Sequence, residues 1–185
     1  MQTTPGRLFH NFCAVLVIAC GLALPGAARA DLIALKLPGV VGTVTVAGYQ
    51  GAIEVLSLTG EVESPTTGSV TGAPGAEAGK PTFGDLMIHK RFDTTSPALF
   101  RAVVTGSHFP SAVITFLQQT TAGKLTKIFT ITLSEVLVTK FATDATEPHV
   151  LAGPEQVNLA YEKIVLRDEV TGTTACFNRL TDTTC

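Results

Sequence analysis

Beyond residue 31 most of the chain consists of short runs in which β-branched or aromatic residues alternate with polar ones. Successive side chains of an extended backbone point to opposite faces, so a period of two marks strands buried on one side. The pattern predicts strands over residues 32–37, 40–46, 53–61, 83–92, 112–119, 125–133, 135–143 and 157–167. In the sixth of these, Phe129, Ile131 and Leu133 alternate with Thr130 and Thr132. Residues 120–124 just before it supply turn chemistry for a hairpin with the fifth. In the last, Val157, Leu159 and Tyr161 share a face with Lys163 while Ile164 lies opposite, so the apolar side changes partway along.

One stretch breaks the alternation. Leu99, Phe100 and Val103 stand at helical spacing, with Ser96 placed to cap the start, Pro97 as first helical residue and Gly106 as terminator, which predicts a short helix from Ser96 through Val104. A helix this short persists only by docking its Leu99 and Val103 side on a sheet. Residues 64–80 are rich in Gly, Pro, Thr and Ala, and residues 144–154 carry two X-Pro pairs. Both are read as loops. The whole describes a mainly β chain, a small closed or nearly closed β-barrel with one short flanking α-helix. With 185 residues it is one domain once a targeting segment is set aside.

The amino end supplies that segment. Arg7 precedes an apolar run over residues 12–24, followed by the breaker pair Pro25 and Gly26 and the small-residue site Ala28-Arg29-Ala30. This order is a secretory signal peptide over residues 1–30, with cleavage between Ala30 and Asp31 and a periplasmic or extracellular destination. The run is shorter than the ~20 residues that span a bilayer, so no membrane association is expected after cleavage. A rival reading takes residues 17–20 as a lipobox with Cys20 acylated, although the apolar run continues past it where a polar tether is usual. The division is thus a leader over 1–30, a barrel over 31–167 and a polar tail over 168–185.

Removing Arg7 and Arg29 with the leader lowers the 13 basic residues to 11 against 15 acidic ones, a net charge near −4. Such a balance carries no electrostatic footprint for nucleic acid. Cleavage also removes Cys13 and Cys20. The remaining Cys176 and Cys185 form a disulfide candidate in an oxidising compartment, with a pair of free thiols as the alternative. No histidine lies near them and structural zinc takes four ligands, so no metal or other cofactor is expected.

Residues with catalytic chemistry are present without catalytic spacing. His89, His108 and His149 lie in no metal-ligand pattern. Ser107 and His108 are adjacent, which points their side chains apart. Glu135, Glu155 and Glu162 fall on predicted strands among lysines, where solvation or cross-strand pairing accounts for them. Glu61 and Glu63 resemble a carboxylate pair, but at a frayed strand end that cannot hold a catalytic geometry. The Gly-rich stretch lacks the Lys-Ser/Thr pair and the strand-to-helix context of a phosphate cradle. No enzyme activity is expected.

An ordered set of segments resembles the Hcp family, the tube proteins of bacterial type VI secretion. The set comprises residues 53–57 (IEVLS), 78–80 (AGK), 85–90 (DLMIHK), 93–97 (DTTSP) with Leu99, and 106–110 (GSHFP). It continues through 131–138 (ITLSEVLV) and 155–161 (EQVNLAY) with Ile164, nearly the full span from Asp31 to Arg167. The resemblance implies a barrel of two packed sheets with a helix on one side. It also implies six-membered rings that stack into a tube, with effectors in the lumen and sheath and spike proteins as partners. A ring needs a heterologous contact whose rotation closes, and free strand edges beside a barrel could supply it by edge pairing. Residues 39–50 are similar in place to the loop by which the family touches the next ring. Family members are loaded from the cytoplasm without a leader, so the leader here departs from the pattern, and the polar tail is read as an addition. A different class of function, a monomeric exported β-barrel module binding a small ligand or protein partner, stands as the alternative.

Overall fold

The computed structural model describes residues 31–67, 77–143 and 153–185. The strands β1 (Leu32–Lys36), β2 (Ile53–Val55), β3 (Ser57–Thr59), β4 (Val62–Glu63), β5 (Thr66–Thr67), β6 (Glu77–Ala78), β7 (Thr82–Phe83) and β8 (Leu86–Arg91) precede the helix α1 (Ser96–Thr105). After it come β9 (His108–Gln119), β10 (Leu125–Thr143), β11 (Pro154–Asp168), β12 (Thr174–Asn178) and β13 (Thr183–Thr184). The mainly β class with one short helix is what the alternation predicts.

The sheet closes on itself. β9 and β10 form the predicted hairpin, its turn tied by Thr120 N donating to Lys124 O at 2.8 Å. β10 pairs with β11 and β9 with β1, all antiparallel. β1 pairs with β2, whereas β3, which continues β2 past a bend at Leu56, pairs with β8. β8 in turn pairs with the first half of β11, and at the bend Leu56 N donates to His89 O at 2.7 Å. Residues 53–59 therefore stitch the two ends of the sheet together, and the predicted single strand over 53–61 is two strands with different partners. Closure corrects the expectation that barrel edges stand free for a neighbour: these ladders are satisfied within the chain. Leu35, Ile53, Ile88, Ile114, Leu133 and Leu159 fill the interior, each such side chain contributing roughly 1.5–3 kcal/mol on burial.

The predicted strand over 40–46 is absent. That stretch is an irregular loop folded back on the barrel wall, where Gly42 N donates to Gly51 O and Val44 N to Ala52 O. Gly51 sits in the left-handed region at φ 72°, and a Cβ on Gly42 would run into the Ala52 backbone, so this turn depends on both glycines. Val44 packs with Ala34, Ala52 and Leu117 in a second small core on the outer face of β1 and β9. Residues 39–50 thus do not reach outward as a ring-to-ring loop.

Two predicted strands over 125–133 and 135–143 are one, β10. The hydrophobic parity that separates them is real: Ile131 and Leu133 are buried before Glu135, Val136 and Val138 after it. Glu135 takes a left-handed φ of 52° and both ladders skip it, so the strand kinks and its inner face changes side. β11 changes face alongside, from Leu159 and Tyr161 to Ile164 and Leu166, as its sequence indicates.

Candidate functional site

α1 is anchored through charge. Thr95, not Ser96, is the N-cap and makes no side-chain cap bond. Asp93 instead accepts from Thr95 N at 2.8 Å, while Ser96, the first helical residue, turns its hydroxyl inward. There Lys90 of β8 and Glu155 of β11, both 0% exposed, form an ion pair at 2.6 Å. Lys90 also donates to Arg91 O at 2.7 Å and Ser96 Oγ at 3.2 Å and lies 2.9 Å from Asp93 Oδ1. Ser96 donates to the same Glu155 Oε2 at 2.8 Å, leaving Oε1 buried without a partner. Burial raises the Asp93 pKa, but the Thr95 hydrogen bonds and the Lys90 cation outweigh it and hold the carboxyl below its ordinary 3.8. The knot sets one cation, Lys90, against the two carboxylates of Asp93 and Glu155 and fixes α1 to two strands far apart in sequence. At the other end Gly106, at φ 62°, stops the helix as predicted. Leu99 and Ala102 face the core, and Phe100 meets Phe141 edge to face at 5.9 Å. Phe100 and Val104 remain exposed.

Residues 61–67 and 77–84 form the two sides of an arm. β4 pairs with β7 and β5 with β6, so the expected loop over 64–80 is a ribbon on both sides of residues 68–76, which lie outside the described residues. Glu61 and Glu63 do meet here: the hydrogen bond and the charge of Glu63 raise the pKa of Glu61 above its ordinary 4.5. Both are exposed, where no surrounding structure holds them for catalysis.

The tail over 168–185 extends the sheet. β12 pairs with the second half of β11, and β13 pairs with β12 through two positions, Phe177 with Thr184 and Asn178 with Thr183. The sulfurs of Cys176 and Cys185 meet across this hairpin with their Cα atoms 5.1 Å apart. The segment between them grips the root of the arm. Phe177 stacks on Phe83 at 4.8 Å, and Arg179 donates to Phe83 O at 3.2 Å and to Tyr161 O at 2.8 Å, its guanidinium 5.0 Å from the Tyr161 ring centroid. Lys80 pairs with Asp182 at 3.2 Å. Burial raises the Tyr161 pKa despite the Arg179 charge. Nothing in the local pattern of the tail marks this contact, because its partners lie some hundred residues back along the chain.

The other chemistry-bearing residues are dispersed. His108 pairs with Glu135 at 2.8 Å, both about half exposed, and Ser107 shares a hydrogen bond with Thr105 at 2.6 Å, so Ser107 and His108 serve different partners. His89 is half-buried on β8 and Glu162 exposed on β11. Among the described residues no group of three His, Cys, Asp or Glu side chains is placed to hold a metal, and no helix is long and apolar enough to cross a membrane. His149, Cys13, Cys20 and Ala30 lie outside the described residues, and Asp31 accepts from Gln119 N at 3.2 Å where the described chain begins. A cleft of about 630 Å³ opens between Asp31, Leu32, Glu54, Gln119 and Lys124.

The sequence pattern of one family, described as type VI secretion system effector, Hcp, matches residues 35–167. Among solved structures the chain is similar to Hcp1 from Salmonella typhimurium, with TM-score 0.70 and 22% identity over 84% of this chain and 99% of that one. It is similar to a structure described as a type six secretion system protein, with TM-score 0.74 and 21% identity over 84% and 100%. It is also similar to the Hcp1 protein of the E. coli EAEC 042 pathovar, with TM-score 0.67 and 26% identity over 80% and 97%. No curated protein matches the sequence.

Proposed function

The chain belongs to the Hcp family, the tube proteins of type VI secretion, and from that premise we propose that its processed form is an exported subunit of a six-membered ring. The family is one of secreted, structural proteins and not of enzymes. The reading rests on one observation: the match over residues 35–167 runs from within β1 almost to the end of β11, and so takes in the barrel apart from the first residues of β1, together with the arm and α1. A ring built from one kind of subunit needs two different patches that meet with a closing rotation. Because the barrel seals itself, those patches are side-chain faces and the arm, and exposed Phe100, Val104 and Val62 are apolar surface of the right kind.

In this proposal residues 1–30 direct export, the chain is cut between Ala30 and Asp31, and Cys176 and Cys185 are joined in the oxidising compartment it reaches. Its partners are its own copies, in rings and stacked rings, and sheath, spike or effector proteins of a type VI system where it meets them. The self-sealed barrel and the 630 Å³ cleft favour a second reading, a monomeric exported module with a ligand or protein in that cleft. Light scattering on the chain starting at Asp31 separates the two: a mass near six protomers is expected, and a mass near one sinks the ring. Sequencing of the exported protein's amino terminus is expected to begin at Asp31, whereas an acylated Cys20 at its start replaces the cleaved leader with a lipid anchor.

A further inference from the structure

Three residues of the tail that contact the root of the arm lie in the segment closed by Cys176 and Cys185: Phe177, Arg179 and Asp182. They are not held equally. Phe177 is on β12, whose five pairs with β11 keep it in place. Arg179 and Asp182 lie beyond the last of those pairs. One backbone bond, Arg179 N donating to Glu162 O at 2.7 Å, ties the start of the turn to β11. The rest is secured by two β12–β13 pairs, by Cys185 N donating to Cys176 O at 3.3 Å and by Asn178 Oδ1, which accepts from Leu180 N and Thr181 N. A two-pair hairpin is marginal in water, and a cross-link at its base removes most of the open conformations available to it. Cys185 is exposed and Cys176 half-buried, so a soluble thiol reaches the pair.

We propose that the β12–β13 hairpin is a redox-dependent clamp on the arm: joined cysteines hold Arg179 and Asp182 against β7 and Lys80, and reduced cysteines release them. Phe177 alone then keeps the root of the arm in loose contact. Opening proceeds by thiol–disulfide exchange with a dithiol reductant. One of its thiolates attacks a cysteine sulfur, its second thiolate displaces the mixed disulfide, and two electrons and two protons end on the thiols of Cys176 and Cys185 while the reductant leaves as its own cyclic disulfide. The clamp is a property of a single subunit and does not depend on ring assembly. Export decides only whether the arm is delivered in its held form.

Hydrogen exchange on the chain from Asp31, oxidised and then reduced with dithiothreitol, tests the clamp, with thiol titration confirming each state. Reduction is expected to speed exchange at residues 61–65 and 79–84 by about tenfold, the amount that loss of a modest local contact produces, while β9 and β10 stay protected. Arg179→Ala in the oxidised chain is expected to give the same increase, and reducing that variant is expected to add little, because both changes remove one interaction. Unchanged exchange at the arm on reduction overturns the clamp. So does a rise spread evenly over the barrel, which makes the bond a global staple, or an Arg179→Ala chain that still responds fully to reduction. Two free thiols in the air-oxidised protein also overturn it.

Discussion

At the scale of single residues the main departure from sequence reading is the burial of charge. A glutamate on a strand among lysines is ordinarily solvated, yet Glu155 is sealed with Lys90, 65 positions away, and shares it with Ser96. Removing one partner of such a pair strands the other in a low dielectric. Glu155→Ala is expected to cost about 3–5 kcal/mol, and the apolar double replacement Lys90→Met with Glu155→Leu to cost less than that single truncation, read by urea unfolding. Asp93 adds a pH dependence. Its folded pKa is depressed, so its contribution is complete above the ordinary value of 3.8 and is lost as pH falls through the lower folded value. Thermal midpoints measured below about pH 4 are expected to fall less steeply for Asp93→Asn than for the parent chain. A midpoint slope identical in both chains removes Asp93 from the acid response.

Among the elements, β10 shows how far pattern alone carries. The change of hydrophobic parity between Leu133 and Val136 is legible, and so is the matching change in β11. That the chain passes through as one kinked strand is not, since a glutamate gives no sign that its backbone takes φ 52°. A β-branched residue tolerates that conformation poorly and glycine freely. Glu135→Val is therefore expected to destabilise by about 1–2 kcal/mol, and Glu135→Gly to stay within about 1 kcal/mol of the parent, in denaturant titrations of both. Equal losses in the two variants imply that the His108 pairing, and not the backbone, governs the site. The loop over 41–52 gives the opposite lesson. Its valines alternate as a strand's would, but Gly42 and Gly51 let it coil back over β1, and packing against Ala34 and Leu117 overrides the period.

For the molecule as a whole, one closed barrel carries the core, and the tail and arm are fastened outside it. The main cluster draws on β1, β2, β8, β9, β10, β11 and α1, and no residue of β12 or β13 enters it. A chain ending at Asp168 is thus expected to keep the far-ultraviolet dichroism of the barrel with a thermal midpoint lowered by several degrees, from the uncovering of Ile164 and Leu166. Loss of the barrel spectrum in that chain makes the tail part of the folding unit.

The sequence by itself determined most of the barrel strands, the place of the helix to within a residue at each end, and which side of most strands is apolar. Each of these follows from the spacing of side chains along a backbone of known period and from the local chemistry of Pro and Gly. Only the tertiary structure decided that residues 53–59 close the barrel, that Lys90 meets Glu155, and that the tail grips the arm. Those contacts join positions tens of residues apart, and their stability comes from burial and pairing that exist only once the chain has come together.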